Sequence, residues 1–230
     1  MAMASFVLLH GAYQGPWIWK TVAASLRAEG HEVYVPCLQG CAERAASVHL
    51  GITTETQAEE VIEMLQLEDL HDVVLVGTSS GGMVLARVAE RSRARISRLV
   101  FVDALALLDG EKIRDIVTAP AAIEGPLALG PDREDLLTRS FKDIDPAVRD
   151  WAADRVSLHP RNCFYAPVKL DSFWTQSWDA DVIYCRQAPN PGRQHLERCA
   201  DRLGARWHEI DTGHYPMLTT PEELARLLMA

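Results

Sequence analysis

Asp72-Val73-Val74-Leu75-Val76-Gly77-Thr78-Ser79-Ser80-Gly81-Gly82-Met83 is the stretch that decides the fold. Its first half is an apolar run typical of a buried strand, and the residues that follow Gly81 are typical of a helix. A serine in a Gly-x-Ser-x-Gly turn between a strand and a helix forms a nucleophile elbow, whose hydroxyl is held out into a cleft. The sequence therefore predicts Ser79 as a catalytic nucleophile, with a plain glycine-rich turn as the alternative.

The rest of the chain alternates short apolar runs with amphipathic helical patterns. The predicted strands cover residues 5–9, 33–36, 73–76, 98–102, 181–185 and 205–210. The predicted helices cover residues 16–28, 54–67, 81–92 and 222–229. This alternation predicts an α/β fold with a mostly parallel sheet of about six strands and helices on both faces.

Residues 104–178 interrupt this alternation, because they contain no strong strand pattern and several short helical patterns separated by prolines. We interpret them as a helical cap inserted between two strands of the core. The predicted domains are then a core of residues 1–103 and 179–230 and a cap of residues 104–178. The alternative is a plain set of surface helices.

Length and charge exclude several other classes of protein. The chain has 230 residues, of which 48% are hydrophobic, which is enough for one sizeable core and argues against disorder. A net charge of −9 without a basic stripe argues against a nucleic-acid partner. The apolar run at residues 6–9 is too short for a signal peptide or a membrane span, so no membrane partner is predicted.

The cysteines are odd in number and irregularly spaced. They are Cys37, Cys41, Cys163, Cys185 and Cys199. Cys37 and Cys41 lack the second pair of ligands that a zinc site needs, so free thiols in a cytoplasmic protein are predicted. The sequence indicates no metal and no organic cofactor, and a homodimer is left open as the oligomeric state.

A serine hydroxyl needs a base and an oxyanion stabiliser to act as a nucleophile at neutral pH. The candidate base is His214, which follows the last predicted strand and precedes the last helix. Two backbone N–H groups are expected to bind the oxyanion. Ser80 at the start of a helix supplies one, and Ala12 in the loop after the first strand supplies the other. His10, in the same loop, is expected to hold that loop by hydrogen bonds.

A carboxylate that orients the histidine normally follows the strand that precedes the histidine strand, and none is found there. No aspartate or glutamate occupies the loop after the strand that ends at Cys185, whereas Asp103 ends the strand that follows the elbow unit. We predict Asp103 as the third catalytic residue. Two alternatives stay open: Asn190 orients His214, or the site works as a Ser-His dyad while Asp103 caps the following segment or braces the cap.

Three segments together resemble the α/β-hydrolase superfamily. They are FVLLHGAYQGPWIW at residues 6–19, VGTSSGGM at 76–83 and GHYPML at 213–218. More narrowly, the chain resembles the small branch that holds plant methyl esterases, hydroxynitrile lyases and their bacterial relatives. The resemblance covers nearly the whole chain and implies the α/β-hydrolase fold, a serine nucleophile and a small ester substrate.

The same resemblance separates esterases from lyases. Cyanohydrin cleavage in this branch goes with a threonine in the first loop and a lysine after the histidine, and the matching residues here are Gly11 and Tyr215. Both favour an esterase. The chain departs from the branch in having Thr78 before the nucleophile, where a histidine is usual, and in lacking the usual aspartate after Cys185.

The sequence therefore predicts a serine hydrolase that cleaves a small carboxylic ester, a lactone or a thioester through an acyl-enzyme on Ser79. The candidate substrate-binding residues are Gly11, Tyr13, Trp174 and Tyr215. Two alternatives are a lyase or another non-hydrolytic acid/base enzyme on the same fold, and a non-catalytic protein that binds a small ligand.

Overall fold

The core of the protein is a parallel six-stranded sheet with the strand order β2-β1-β3-β4-β8-β9. The structure is a computed structural model that describes residues 3–117 and 121–230. The strands of this sheet are β1 Ser5–Leu9, β2 Glu32–Tyr34, β3 Val73–Ser79, β4 Ile96–Ala104, β8 Ala180–Cys185 and β9 Arg206–Ile210. The longer helices around it are α1 Lys20–Ala28, α2 Thr54–Leu67, α3 Gly81–Arg91, α8 Arg193–Leu203 and α10 Pro221–Met229.

The central strands are buried on both faces because helices cover each side of the sheet. Apolar residues of α2, α3 and α8 pack against one face, and those of α1 and α10 pack against the other. This arrangement explains why residues 73–76 read as a continuous apolar run and not as an alternating one.

Local sequence signals set the helix ends. Thr53 caps α2 in a reciprocal pair with Thr56, in which each side chain accepts a hydrogen bond from the other residue's backbone N–H. Helix α8 ends at Gly204, whose φ of 60° lies in the left-handed region that glycine adopts without strain. Pro221 occupies the first turn of α10, where its missing N–H costs nothing.

The segment between β4 and β8 carries short helices and a second, three-stranded antiparallel sheet. The sheet consists of β5 Ile123–Glu124, β6 Ala128–Gly130 and β7 His159–Pro160. The helices are α4 Ile113–Ile116, α5 Arg133–Asp135, α6 Pro146–Ala153 and α7 Arg161–Tyr165. Part of this segment forms its own apolar cluster around Phe141, whereas Leu129, Phe164 and Phe173 join the cluster of the core. Residues 118–120 of the predicted cap lie outside the described residues.

The predicted fold is confirmed: the sheet has six strands, all parallel, with helices on both faces. Two features differ from the expectation. Helix α8 was not anticipated, and neither was the small sheet between β4 and β8. Strands of two or three residues are too short to show a period-two pattern, so they pair without a readable signal. Within the described ranges, none of the helices is both long and apolar enough to span a membrane.

Candidate active site

The turn after β3 places Ser79 in the strained geometry of an elbow. Ser79 has a φ of 51°, a left-handed conformation that is uncommon for a residue other than glycine. The glycines around it are required by close backbone approach. A Cβ on Gly81 would lie 2.7 Å from the carbonyl oxygen of His10, and one on Gly82 would lie 2.3 Å from that of Leu105. The Gly-x-Ser-x-Gly-Gly pattern is therefore a packing requirement of this turn.

His214 and Asp103 are joined by a hydrogen bond. The distance from His214 Nδ1 to Asp103 Oδ2 is 2.5 Å, and the Asp103 side chain is fully buried. The other oxygen, Oδ1, accepts a hydrogen bond of 3.3 Å from the backbone N–H of Cys185 at the end of β8. Both oxygens of the carboxylate are thus held, and Nδ1 of His214 is committed to Asp103. This leaves Nε2 as the nitrogen that can take a proton.

The same acid lies beside the nucleophile in the sheet. Ser79 pairs with Ala104 in the register between β3 and β4, and the backbone N–H of Leu105 donates to the Ser79 carbonyl oxygen at 2.8 Å. Asp103 thus brings His214 to the end of the strand next to Ser79. Among the described residues the Ser79 hydroxyl forms no hydrogen bond, so its contact with Nε2 stays a prediction. Catalytic hydrogen bonds often tighten only when substrate binds.

Two backbone N–H groups are free to bind an oxyanion. In the loop after β1, the N–H of Gly11 donates to Gln14 Oε1 at 2.9 Å, and the N–H of Gln14 donates to the Gly11 carbonyl at 3.4 Å. Those of Ala12 and Ser80 donate no hydrogen bond within the described part of the chain. These are the two donors that the sequence predicts.

His10 holds this loop, as expected. The N–H of Leu38 donates to His10 Nε2 at 3.1 Å, so Nδ1 carries the proton and donates to the Gly11 carbonyl at 2.9 Å. Burial lowers the pKa of His10 to about 4, so the ring is neutral near pH 7 and serves as a brace for the loop.

We expect the protein to lose stability in mild acid because of its buried histidines. Burial lowers the pKa of His10 to about 4, that of His159 to about 3 and that of His195 to about 4. Between pH 6.5 and 4 the unfolded chain therefore binds more protons than the folded one. The free energy of unfolding falls as the pH falls through this window, by about 3 kcal/mol for His10 alone. Urea unfolding at pH 7, 5.5 and 4.5 measures it, and a flat profile would contradict these assignments.

Gly11 lies against the nucleophile itself. A Cβ added there would lie 2.5 Å from Ser79 Cβ and 3.2 Å from Ser79 Oγ. We therefore expect Gly11→Ala to displace either the serine or the oxyanion loop and to lower kcat about 100-fold, as the loss of one oxyanion donor does. Steady-state kinetics tests this. Gly30→Ala is unsuitable as its control because Gly30 has a positive φ, whereas Ser25→Ala on the outer face of α1 is suitable.

The three other candidate substrate contacts occupy different places. Tyr215 lines a cavity of about 270 Å³ that also touches His214, Ser140 and Ile144. The Tyr215 ring packs edge-on against that of His214, with 5.1 Å between centroids, and burial raises the pKa of its phenol. Tyr215 is therefore placed at the site, although its contact with substrate stays a prediction.

Tyr13 follows the predicted donor Ala12, and its ring stacks on Phe164 at 5.8 Å. Trp174 contacts the segment that follows β4. Its indole N–H donates to the Leu107 carbonyl at 3.1 Å, and the backbone N–H of its neighbour Phe173 donates to Glu90 near the far end of α3. Leu107 is two residues after Leu105, whose N–H donates to the Ser79 carbonyl oxygen at 2.8 Å. The contact of Trp174 with substrate stays a prediction.

The alternative partner of His214, Asn190, does not form the hydrogen bond to Nδ1. Asn190 is exposed, in the loop between β8 and α8, while the Nδ1 of His214 bonds to Asp103. Asp211 is also exposed and accepts a hydrogen bond of 3.2 Å from Gln187 in its own neighbourhood. Over residues 3–117 and 121–230, no cluster of histidine, cysteine and carboxylate side chains has the arrangement of a metal site.

Sequence reasoning missed two groups that support the site. Gln14, which is 2% exposed, sets the turn of the oxyanion loop through its side-chain oxygen. The backbone N–H of Cys185 fixes one oxygen of Asp103. Gln14 stands in the same short loop as His10 and Gly11, so its position was visible. A backbone donor from a distant strand has no sequence signal.

Comparison with known proteins identifies several that are similar to this chain. A family model described as "Alpha/beta hydrolase family" matches residues 6–227. The chain is 38% identical to a carbendazim hydrolyzing esterase of Nocardioides over 99% of both chains. It is 32% identical to a putative chloroplastic methylesterase of Arabidopsis thaliana over 50% of this chain and 34% of that protein. The solved structure of another Arabidopsis methylesterase superposes with a TM-score of 0.82 at 17% identity, covering 99% of this chain and 98% of the other.

Proposed function

This chain belongs to the alpha/beta hydrolase family, and from that premise we propose that it is a serine hydrolase that cleaves small carboxylic esters. The observation that carries the proposal is the 2.5 Å hydrogen bond between His214 and the buried Asp103, at the sheet edge where Ser79 occupies a strained elbow. Acyl transfer by a serine requires a base that a carboxylate orients, and His214 is held in this way at the strand end next to Ser79.

The proposed reaction proceeds in two halves. Nε2 of His214 takes the proton of Ser79 as Oγ attacks the ester carbonyl, and the N–H groups of Ala12 and Ser80 hold the oxyanion. Asp103 stabilises the imidazolium that forms. His214 then protonates the leaving alcohol. In the second half, His214 deprotonates a water that attacks the acyl-enzyme, and Ser79 recovers its proton.

The relatives narrow the substrate class. The matched proteins include methylesterases and an esterase that hydrolyses carbendazim, so esters of small alcohols are the first class to test, with lactones and thioesters next.

A panel of methyl, ethyl and p-nitrophenyl esters graded by acyl length tests the proposal. We expect hydrolysis of at least one ester to be lost when a fluorophosphonate modifies Ser79. A mandelonitrile assay run beside it distinguishes the lyase alternative. Cleavage of the cyanohydrin without ester hydrolysis, or tight ligand binding without any product, would overturn the proposal.

Three further properties belong to the proposal. The five cysteines are free, which suits a reducing, cytoplasmic location. Residues 104–178 serve as a cap on a core of residues 1–103 and 179–230. A homodimer stays a prediction, which sedimentation of the purified protein can test.

A further inference from the structure

Tyr13, the residue after the proposed oxyanion donor Ala12, is held almost entirely by the cap. It has a φ of 67°, a left-handed conformation that a tyrosine rarely adopts, so its surroundings must maintain it. Its carbonyl oxygen accepts a hydrogen bond of 3.1 Å from the backbone N–H of Ser157. Ser157 is itself fixed, because its Oγ accepts a hydrogen bond of 2.9 Å from the N–H of Ala42 in the core.

The ring of Tyr13 lies in a socket built by the small cap sheet and α7. It stacks on Phe164 with 5.8 Å between centroids and packs edge-on near His159 at 6.2 Å. Gly130 on β6 closes the socket. A Cβ there would lie 3.0 Å from Tyr13 Cδ1, 3.1 Å from Cε1 and 3.0 Å from Leu158 Cδ2, so a larger residue would push against the ring.

The socket also contacts the core of the protein. His159 Nδ1 lies 3.4 Å from Cys41 Sγ, a contact between two buried side chains that joins the cap sheet to the loop after β2. Phe164 contacts His159 as well, with 5.5 Å between ring centroids. The cap sheet, α7 and the core loop therefore share one packed cluster, and Tyr13 enters it from the oxyanion loop.

We propose that the cap positions the oxyanion hole: Gly130, Phe164 and Ser157 hold Tyr13, and Tyr13 fixes the direction of the Ala12 N–H. This inference rests on the proposed function, because it assigns a role in stabilising the oxyanion. Gly130 and Phe164 are thus positioning residues that act through Tyr13. The cap then contributes to the chemical step and not only to the shape of the substrate pocket.

Gly130→Ala tests this inference. The added methyl pushes the Tyr13 ring by a few tenths of an ångström. We therefore expect kcat to fall about tenfold while KM changes less than about threefold, because an oxyanion donor acts on the transition state. Leu127→Ala is the matched control. Its side chain is 39% exposed in the same cap hairpin and its removal leaves the backbone in place, so we expect kcat within about threefold of wild type.

Two additions keep the test decisive. Phe164→Leu removes the stacking partner without adding volume, so it serves if Gly130→Ala fails to fold, and we expect a roughly tenfold lower kcat at unchanged KM. The double variant Tyr13→Leu/Gly130→Ala should lose no more activity than Tyr13→Leu alone, because the methyl then has no ring to displace. Folded variants with wild-type kcat, losses confined to KM, or strictly additive losses would overturn the inference.

The rate at which a fluorophosphonate modifies Ser79 separates this inference from the proposed function. That reaction also needs the oxyanion donors but needs no ester substrate. A wild type that is phosphonylated without hydrolysing any ester overturns the proposed function. In that case a slower phosphonylation of Gly130→Ala still supports the inference, and an unchanged rate contradicts it. A wild type that shows neither reaction contradicts both.

Discussion

Ser79→Ala is expected to lower kcat for the best ester by about 100,000-fold, since the loss of a serine nucleophile removes the covalent route altogether. Ester binding should persist, because the oxyanion donors are unchanged. Stopped assays with long incubation measure the residual rate, and isothermal titration measures binding to the variant.

The control for this variant is Ser25→Ala. Ser25 lies on α1 and donates to the Thr21 carbonyl at 3.2 Å, remote from the elbow. It should keep wild-type kinetics. Retention of full turnover by Ser79→Ala with any ester would remove Ser79 from the mechanism, whatever the fold suggests.

Asp103→Asn is expected to lower kcat about 10,000-fold, the loss seen when the acid of a serine triad becomes an amide. The backbone N–H of Cys185 donates to one side of this group, and His214 Nδ1 meets the other. An amide that turns its oxygen toward Cys185 presents its NH₂ to Nδ1 and forces the proton onto Nε2. His214 then cannot accept the proton of Ser79. Asparagine tolerates the left-handed φ of 44° at this position, so the backbone should survive.

Asp181→Asn is the matched control, because Asp181 is a buried acid at the opposite end of the neighbouring strand β8. Burial opposes its charge, but hydrogen bonds from Arg206, Arg98 and His208 outweigh that cost and hold its pKa at about 2. Its contribution to stability is present above about pH 4 and is lost as the pH falls toward 2. Asp181→Asn should therefore lower the Tm and spare kcat, whereas Asp103→Asn should lower kcat far more than the Tm. Equal kcat in the two variants would contradict the assignment of Asp103.

The sequence was sufficient for the elements whose signals are local. The elbow could be predicted from the sequence because its glycines must stand within a few residues of Ser79. The role of Asp103 could be predicted because this residue ends a strong strand pattern, while the loop after Cys185 contains no carboxylate. Parallel topology then places the ends of β3 and β4 side by side, and the structure joins Asp103 to His214.

The features of the fold and the site that could not be predicted from the sequence depend on contacts between distant residues. Nothing near Trp174 in the sequence signals its bond to the Leu107 carbonyl, so this contact could not be foreseen. The socket of Tyr13 brings together β6, β7 and α7. The two strands are too short to show an alternating apolar pattern. Such pairings are decided by tertiary packing, which a single sequence does not encode in any local period.

The mass of the peptide that contains Ser79, measured by rapid quench during turnover of a p-nitrophenyl ester, tests the central claim most directly. A good leaving group makes acylation faster than deacylation, so the acyl group should accumulate. We expect this peptide to gain the mass of the acyl group, and to do so only when His214 and Asp103 are intact. Release of p-nitrophenol over many turnovers with Ser79 unmodified, or with the acyl group on another side chain, would contradict it.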